Sequence, residues 1–295
     1  MRILNFGSLN IDEIYRVADF VQPGETVATQ SRSIVAGGKG LNQSIALARA
    51  GASVAHAGCI GKDGAFLAET LAANGVDVSL LHTSDIPTGR AVIQVSDCGQ
   101  NAILHYPGAN LDIDTEYIRK IFSHFGPNDW VLLQNEISCV GEIMEIAAAR
   151  GMHIVFNPSP ITPSIDALPL GVVSCFHLNE HEGAALSGTN IPEDMLVILR
   201  ERFPRAQFVL TLGDAGAYFA GLTETFFCEA CPATPVDTTG AGDTFTGFLV
   251  AAITSGKTPH EAMAIASQAA AISITRHGAS TSIPTMEEVQ HALNL

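Results

Sequence analysis

The densest chemistry in the sequence lies in VDTTGAGDTF, residues 236–245, which sets two acids and three threonines around a Gly-Ala-Gly turn just ahead of an apolar run, Phe245 to Ile253. That run reads as a helix, and glycines ahead of a helix leave main-chain amides exposed. Gly240 and Gly242 let the backbone turn without a Cβ, so the N–H groups of Gly240, Ala241 and Gly242 can converge in front of the helix's positive end, where an anion belongs. Asp243 follows in the first helical turn, within reach of whatever the amides hold. Amides facing charge on a phosphate, beside a carboxylate able to take a proton from an attacking hydroxyl, make half of a phosphoryl-transfer site. A plain glycine turn with a capping Asp would account for Asp243, though not for a glycine on each side of Ala241.

A second glycine group, AGGKGLNQSIALARAGA at residues 36–52, also opens a patterned amphipathic helix. Gly37, Gly38 and Gly40 again allow close approach of backbone to a ligand, Lys39 adds a cation, and Asn42 can both donate and accept, as a sugar hydroxyl requires. Several strand-like runs end in polar groups: Asn10 and Asp12 after the first, Glu136 after VLLQ, Asn157 after IVF, and Asn179, Glu180 and Glu182 after CFHL. Ligands of open α/β sheets sit at the carboxyl ends of the strands, where such residues would collect. Asn179 and Glu182 are three apart and could present an amide oxygen and a carboxylate to hydrated Mg²⁺; they also fit an ordinary capping box. VLTLGDAGA at 209–217 could border a nucleotide or form a simple turn.

These residues need a scaffold to bring them together. A chain of 295 residues has room for one large α/β domain, with or without a small appendage. Hydrophobic residues at 47% with aromatics at only 6% fit helices packed tightly on a parallel sheet. The formal charge of −15, with no basic run, excludes nucleic acid and anionic membrane as partners. A bound phosphate must then be held by local amides, a metal and a few cations. The six cysteines are scattered, and Cys228 with Cys231 is a lone CxxC lacking a second pair, so reduced thiols of a cytoplasmic protein are expected. No stretch reaches a membrane span, and the N-terminus is strand-like with no leader pattern.

Along the chain, Arg2–Phe6 is a short strand. Residues 13–36 and the runs Gly89–Ser96 and Asn101–Tyr106, the last two joined by DCGQ, read as extended segments outside the β-α rhythm and predict a small β lid. From residue 53 onward strands and helices alternate, ending in helices predicted over Ala241–Ser255 and Pro259–Arg276. AAITSGKT, residues 251–258, loosely fits a phosphate-binding loop but joins two helices instead of following a strand. The sequence has no HExxH or GxSxG, so metalloprotease and serine-hydrolase chemistry lack a starting motif.

With GSLNID, PGET, GGKGLNQ, LQNE, NPSP, LNEHE, TLG, VDTTGAGDTF and TRHGASTSIP in that order, the chain resembles the pfkB family of carbohydrate kinases from about Ile3 to Pro284. The resemblance implies the ribokinase-like three-layer α/β fold: a mainly parallel sheet flanked by helices, as one domain over 1–295, with lid strands inserted at about 12–36 and 89–106. It implies a homodimer through the lid. It implies transfer of the γ-phosphoryl group of ATP to the primary O5 hydroxyl of D-ribose, with Asp243 as general base and the Gly240, Ala241 and Gly242 amides as anion hole. Asn10, Asp12, Gly38, Lys39, Asn42 and Glu136 match the sugar-binding positions. Asn179, Glu182, Thr211, Gly213 and Gly242 match the nucleotide side, with Glu182 reaching Mg²⁺ through water. K⁺ is expected at carbonyls of Asp237, Thr239, Ser273, Arg276 and Gly278 with the Ser282 hydroxyl. Kinases of this family for deoxyribose, fructose, another hexose or a nucleoside remain alternatives, as does a non-catalytic sugar-binding protein. Leu41 and Asn135 depart from the family pattern and could alter the pocket.

Overall fold

A computed structural model describes residues 1–294 of the chain. The strands are β1 (Ile3–Phe6), β2 (Asn10–Arg16), β3 (Ser31–Gly37), β4 (Val54–Gly61), β5 (Leu81–Ser84), β6 (Gly89–Val95), β7 (Asn101–Tyr106), β8 (Trp130–Gln134), β9 (His153–Asn157), β10 (Cys175–Asn179), β11 (Gln207–Thr211), β12 (Gly216–Ala220) and β13 (Thr225–Glu229). The α-helices are α1 (Lys39–Arg49), α2 (Ala65–Ala73), α3 (Thr115–Phe122), α4 (Val140–Ala149), α5 (Glu180–Ser187), α6 (Pro192–Arg202), α7 (Ala241–Thr254), α8 (Pro259–Ser273) and α9 (Met286–Ala292).

Runs such as ILNF, WVLLQ, HIVFN and QFVLT are apolar on both faces, the composition of a strand covered from both sides. They form the middle of a nine-stranded sheet ordered β13-β12-β11-β10-β9-β8-β1-β4-β5. From β11 to β5 every pair is parallel. The edge strands β12 and β13 run antiparallel. Sequence periodicity missed this edge, because five-residue strands beside a glycine turn carry too little pattern. One face is packed by α3, α4, α5 and α6 around Phe122, Phe156, Phe176 and Phe208. The other is packed by α1, α2, α7 and α8 around Ile45, Leu67, Phe248 and Met263. This is the three-layer α/β arrangement expected from the sequence.

Two features of this scaffold matter for chemistry. At Gly247 α7 crosses α1 so closely that a Cβ would stand 2.3 Å from Ala46 Cβ and 2.8 Å from Leu47 N, which draws the first turns of the two helices together. In sheet order, β1 leads through α1 to β4 on one side while β8 lies on its other side. That reversal of winding leaves a crevice at the carboxyl ends of β1 and β8.

A separate four-stranded sheet, ordered β3-β2-β6-β7, stands over this crevice's lip. Its outer pairs are antiparallel, while β2 and β6 join in parallel. Residues 17–30 between β2 and β3 form no helix or strand. In the cross-strand register Asp12, Val35, Ala91 and His105 share one face with Ile14, Ile93 and Ile103. The opposite face carries Glu13, bonded to Arg32 at 2.9 Å and to Arg90 at 2.6 Å. Among the described residues no helix is long and apolar enough to cross a membrane.

Candidate active site

The start of α7 and the start of α1 meet at one carboxylate. Asp243 Oδ2 accepts from Asn42 Nδ2 at 3.0 Å, and Oδ1 accepts from Gln43 Nε2 at 2.8 Å. Burial raises the Asp243 pKa, with Glu136 adding to it, while Lys39 and the two amide donors pull it back. Asn42 is itself buried, and its Oδ1 has no partner in the protein. A buried acceptor without a donor costs free energy, so a ligand hydroxyl there would relieve it.

The cleft in front of Asp243, of about 480 Å³, is lined by Lys39, Asn157, Ser159, Asn179, Glu182, Thr211, Thr238, Gly240, Ala241 and Gly242, among others. Burial works against the Lys39 charge, but the carboxylates of Asp243, Glu136, Glu182 and Asp12 outweigh it and hold the ammonium above its ordinary pKa. It is the cation of an otherwise acidic cleft. Gly240 starts α7 from the left-handed region at φ 76°, a conformation that favours glycine. A Cβ on Gly242 would meet nothing within 4 Å, so this residue leaves space beside the helix start. The three amides are not equivalent: Ala241 N–H turns back on Thr238 O at 3.3 Å.

On the other side of Lys39 the crevice at β1 and β8 holds the residues expected to bind a sugar. Ser8 Oγ donates to Glu136 Oε2 at 2.5 Å, and the same oxygen accepts Lys39 N–H at 3.2 Å. Gly38, at φ 98°, brings α1 so near the β1–β2 turn that a Cβ would lie 2.9 Å from Ser8 O. Asn10 is buried, its Oδ1 accepting from Asn110 Nδ2 at 2.8 Å and its Nδ2 3.4 Å from His105 Nε2 on the small sheet. Asp12 lies over Gly37, where a Cβ would fall 2.0 Å from Oδ2. Its pKa is raised to about 7, first by burial and then by Glu136, with Lys39 opposing.

The residues expected on the nucleotide side divide. Asn179 and Glu182 form a complete capping box: Glu182 N–H donates to Asn179 Oδ1 at 2.9 Å, and Asn179 N–H to Glu182 Oε2 at 2.9 Å. Asn179 Nδ2 reaches the other carboxylate oxygen at 3.0 Å, and Asn157 Nδ2 approaches Oε2 at 3.4 Å. With both oxygens already accepting from the protein, Glu182 suits a water-mediated contact with a hydrated Mg²⁺ better than direct ligation. Burial raises its pKa, against the hydrogen bonds from Asn179 and Ser159 and the charge of Lys39. Thr211 lines the cleft, its Oγ1 donating to Leu178 O at 3.2 Å. Gly213 lies two residues on, at φ 58°, and does not line it.

Of the expected K⁺ positions, Asp237, Thr239 and Gly278 are joined directly: Asp237 Oδ1 accepts from Thr239 N at 3.0 Å and Oγ1 at 2.6 Å, and Oδ2 accepts from Gly278 N at 2.9 Å. Burial opposes the Asp237 charge, yet Thr239 and Gly278 hold its pKa below the ordinary value. With its oxygens thus committed, Asp237 serves as a clamp between loops, and what remains for a monovalent cation is main-chain oxygen. Ser273 O accepts Arg276 N–H at 3.1 Å, the Arg276 side chain pairs with Glu288 at 2.5 Å, and Ser282 Oγ donates to Ala279 O at 2.8 Å. Among the described residues no group of three or more His, Cys, Asp or Glu could hold a metal.

Sequence reasoning missed Ser8, Gln43, Asn110 and Gln134, and took Asn157 no further than a polar strand end. Ser8 and Gln43 lie inside motifs already singled out, so their signal was present; Asn110 and Gln134 reach the site only through the fold. Leu41 and Asn135 do not themselves line the cleft. Leu41 is fully buried in the core, and Asn135 Nδ2 ties down Pro160 O at 2.8 Å.

The profile of the pfkB family of carbohydrate kinases matches residues 2–286. A ribokinase of Haemophilus influenzae is 34% identical, covering 96% of this chain and 95% of its own length. One of Staphylococcus aureus is 32% identical over 98% of each chain. Among solved structures, a ribokinase of Thermotoga maritima superimposes with a TM-score of 0.89 at 33% identity over 99% of both chains. An Arabidopsis thaliana ribokinase complexed with ribose and ATP does so with a TM-score of 0.89 at 28% identity, over 99% of this chain and 98% of that one.

Proposed function

The chain belongs to the pfkB family of carbohydrate kinases, and from that premise we propose that it is an ATP-dependent ribokinase, phosphorylating the primary O5 hydroxyl of D-ribose. The observation that carries the proposal is the convergence of Asp243, Asn42 and Lys39 in one cleft beside the open flank of Gly242. Asn10, Asp12, Gly38, Lys39, Asn42 and Glu136 hold the ribose hydroxyls, with the free Asn42 Oδ1 as one acceptor. Asp243 takes the O5 proton as O5 attacks the γ-phosphorus; the bond to the β–γ bridging oxygen breaks and ADP departs with that electron pair.

A positioned base contributes about 10²–10⁴ in rate. The amides of Gly240, Ala241 and Gly242 meet the charge on the transferred group, Ala241 after exchanging its long bond to Thr238 for the phosphoryl oxygen. Lys39 stands at the boundary of the two halves and shields the incoming phosphate from Asp243, Glu136 and Glu182. Asn179, Glu182 through water, Thr211 and Gly213 form the nucleotide side. Bound Mg²⁺ supplies charge neutralisation on the phosphates. The oxygens of Asp237, Thr239, Ser273, Arg276, Gly278 and Ser282 would hold K⁺, which would order the loop that precedes α7.

The small sheet acts as the lid over the sugar, excluding water that would otherwise receive the phosphoryl group. Its face bearing Ile14, Val35, Ile93 and Ile103 is the surface on which a second copy packs, giving a homodimer. The protein works in the cytoplasm, in keeping with six free cysteines. The test is ADP release in a coupled assay across ribose, deoxyribose, fructose and nucleosides, with and without K⁺ and with and without Mg²⁺. Turnover greatest with ribose is expected; no turnover with any sugar would overturn the proposal.

A further inference from the structure

The two donors on Asp243 differ in what stands behind them. Gln43 is fully buried, and its Oε1 accepts from Gln134 Nε2 at 2.6 Å. Its NH₂ therefore has to point the other way, where it meets Asp243 Oδ1 at 2.8 Å and Asn157 Oδ1 at 3.3 Å. Gln134 is pinned in turn, because the same Nε2 donates to Asn5 Oδ1 at 3.0 Å. Asn5 is oriented by Nδ2 bonds to Gly40 O at 2.7 Å and Ser44 Oγ at 2.8 Å. Beyond Gln43, Asn157 spends its NH₂ on His177 O at 3.0 Å and Glu182 Oε2 at 3.4 Å.

The amides thus run head to tail from the core to two carboxylates, one on each side of the cleft. Flipping Gln43 would set NH₂ against NH₂ at Gln134 and oxygen against oxygen at Asp243 and Asn157. In a buried site each such clash costs far more than the bond it replaces.

We propose that Gln43 is a positioning residue for phosphoryl transfer: its amide fixes the rotation of the Asp243 carboxylate and couples it through Asn157 to Glu182. The proposal rests on the kinase reading above. A base must be held in line with the hydroxyl it deprotonates, and a displacement of about 1 Å can cost on the order of 10² in rate. Asn42 alone cannot set the carboxylate plane, since one donor on one oxygen leaves rotation about the Cβ–Cγ bond free. The charged groups facing Asp243 are Lys39, from α1, and Glu136, from beyond β8. Gln43 adds the fixed neutral donor between them.

The experiment compares wild type, Gln43→Leu and Gln134→Met by coupled ADP release with ribose over a range of pH, alongside thermal melting and ribose calorimetry. Gln43→Leu is expected to lower kcat about tenfold to a hundredfold, with sugar KM moving less than about threefold. Loss of a donor to the ionised carboxylate moves the acid limb of kcat to higher pH. Gln134→Met, which frees the Gln43 amide, should shift both in the same direction by less. A residue important only for folding would change the melt and leave the pH limb in place. Unchanged kcat and acid limb in a folded Gln43→Leu protein would overturn the proposal; if that variant does not fold, the same result in Gln134→Met would. Wild type without turnover on any sugar removes the kinase reading and this proposal together, whereas normal wild-type turnover with unchanged variants removes this one alone.

Discussion

Asn42 and Asp243 are bonded at 3.0 Å, Nδ2 to Oδ2, while the other half of the Asn42 amide is buried without a partner. One residue therefore touches the candidate base and offers a free acceptor to the hydroxyl that the base would deprotonate. Asp243→Asn keeps the size and removes the proton acceptor. Its kcat should fall by at least about 10² while ribose affinity by calorimetry stays within about threefold. Because burial disfavours the Asp243 charge, the amide variant should melt no lower than wild type. Retained turnover would remove Asp243 from the role of base.

The glycines around Ala241 separate into a structural and a functional one. Gly240 sits at φ 76° with Ala279 Cβ 3.0 Å from where its own Cβ would be, so Gly240→Ala should cost about 1 kcal/mol or more in thermal denaturation. Gly242 has no such constraint, and its missing Cβ leaves open cleft. Gly242→Ala should melt like wild type yet show weaker ATP binding and lower kcat, read by nucleotide titration. Equal melts for the two variants would contradict the division.

Asp12 titrates at about 7, chiefly through burial, with Glu136 adding and Lys39 opposing. The carboxylate is the stronger acceptor for a sugar hydroxyl, and it is lost as the pH falls through that value. Ribose KM should therefore rise below about pH 7 with a smaller change in kcat, and Asp12→Asn should flatten that rise. Stability runs in the opposite sense. The folded-state pKa lies above the ordinary 3.8, so ionising the buried group weakens the fold as pH rises through about 7. Asp12→Asn should thus gain in melting temperature over wild type at about pH 8.5 relative to about pH 5.5. A pH-independent difference would show that Asp12 is solvated and titrates normally.

The sequence carried the central strands because VLLQ, IVF and FVL leave no polar face for solvent, and it carried the helix starts because glycine turns have few other uses. It carried the capping role of Asn179 and Glu182 as one of two readings, and the geometry contains the capping box itself. The joins were not legible. That β2 and β6 pair in parallel depends on where two distant segments are delivered, a property of the whole topology that neither segment encodes locally. The same holds for Gln134 and Asn157, whose amides meet Gln43 only because β8, β9 and α1 end at one place. Polar residues with such partners look like any strand end until the fold supplies the neighbour.

The small sheet gives the last test. Strand alternation puts Ile14, Val35, Ile93 and Ile103 on the face shared with Asp12 and His105, and Ile103 is 54% exposed while Val35 is 37% exposed. The other face carries the Arg32–Glu13–Arg90 ion pairs among the exposed Ile34, Leu104 and Tyr106, whereas the first face combines its apolar side chains with Asp12 of the site. If a second copy covers it, a charge on it is placed in the interface, where an unpaired carboxylate is costly. Ile103→Glu should then shift the protein from dimer to monomer in sedimentation, with little change in melting of the separated chain, because more than half of that side chain is already exposed within it. Sugar KM should rise in the same variant, since the packed face also carries Asn10 and Asp12. A wild-type monomer, or an Ile103→Glu dimer as tight as wild type, would move the subunit contact away from this sheet.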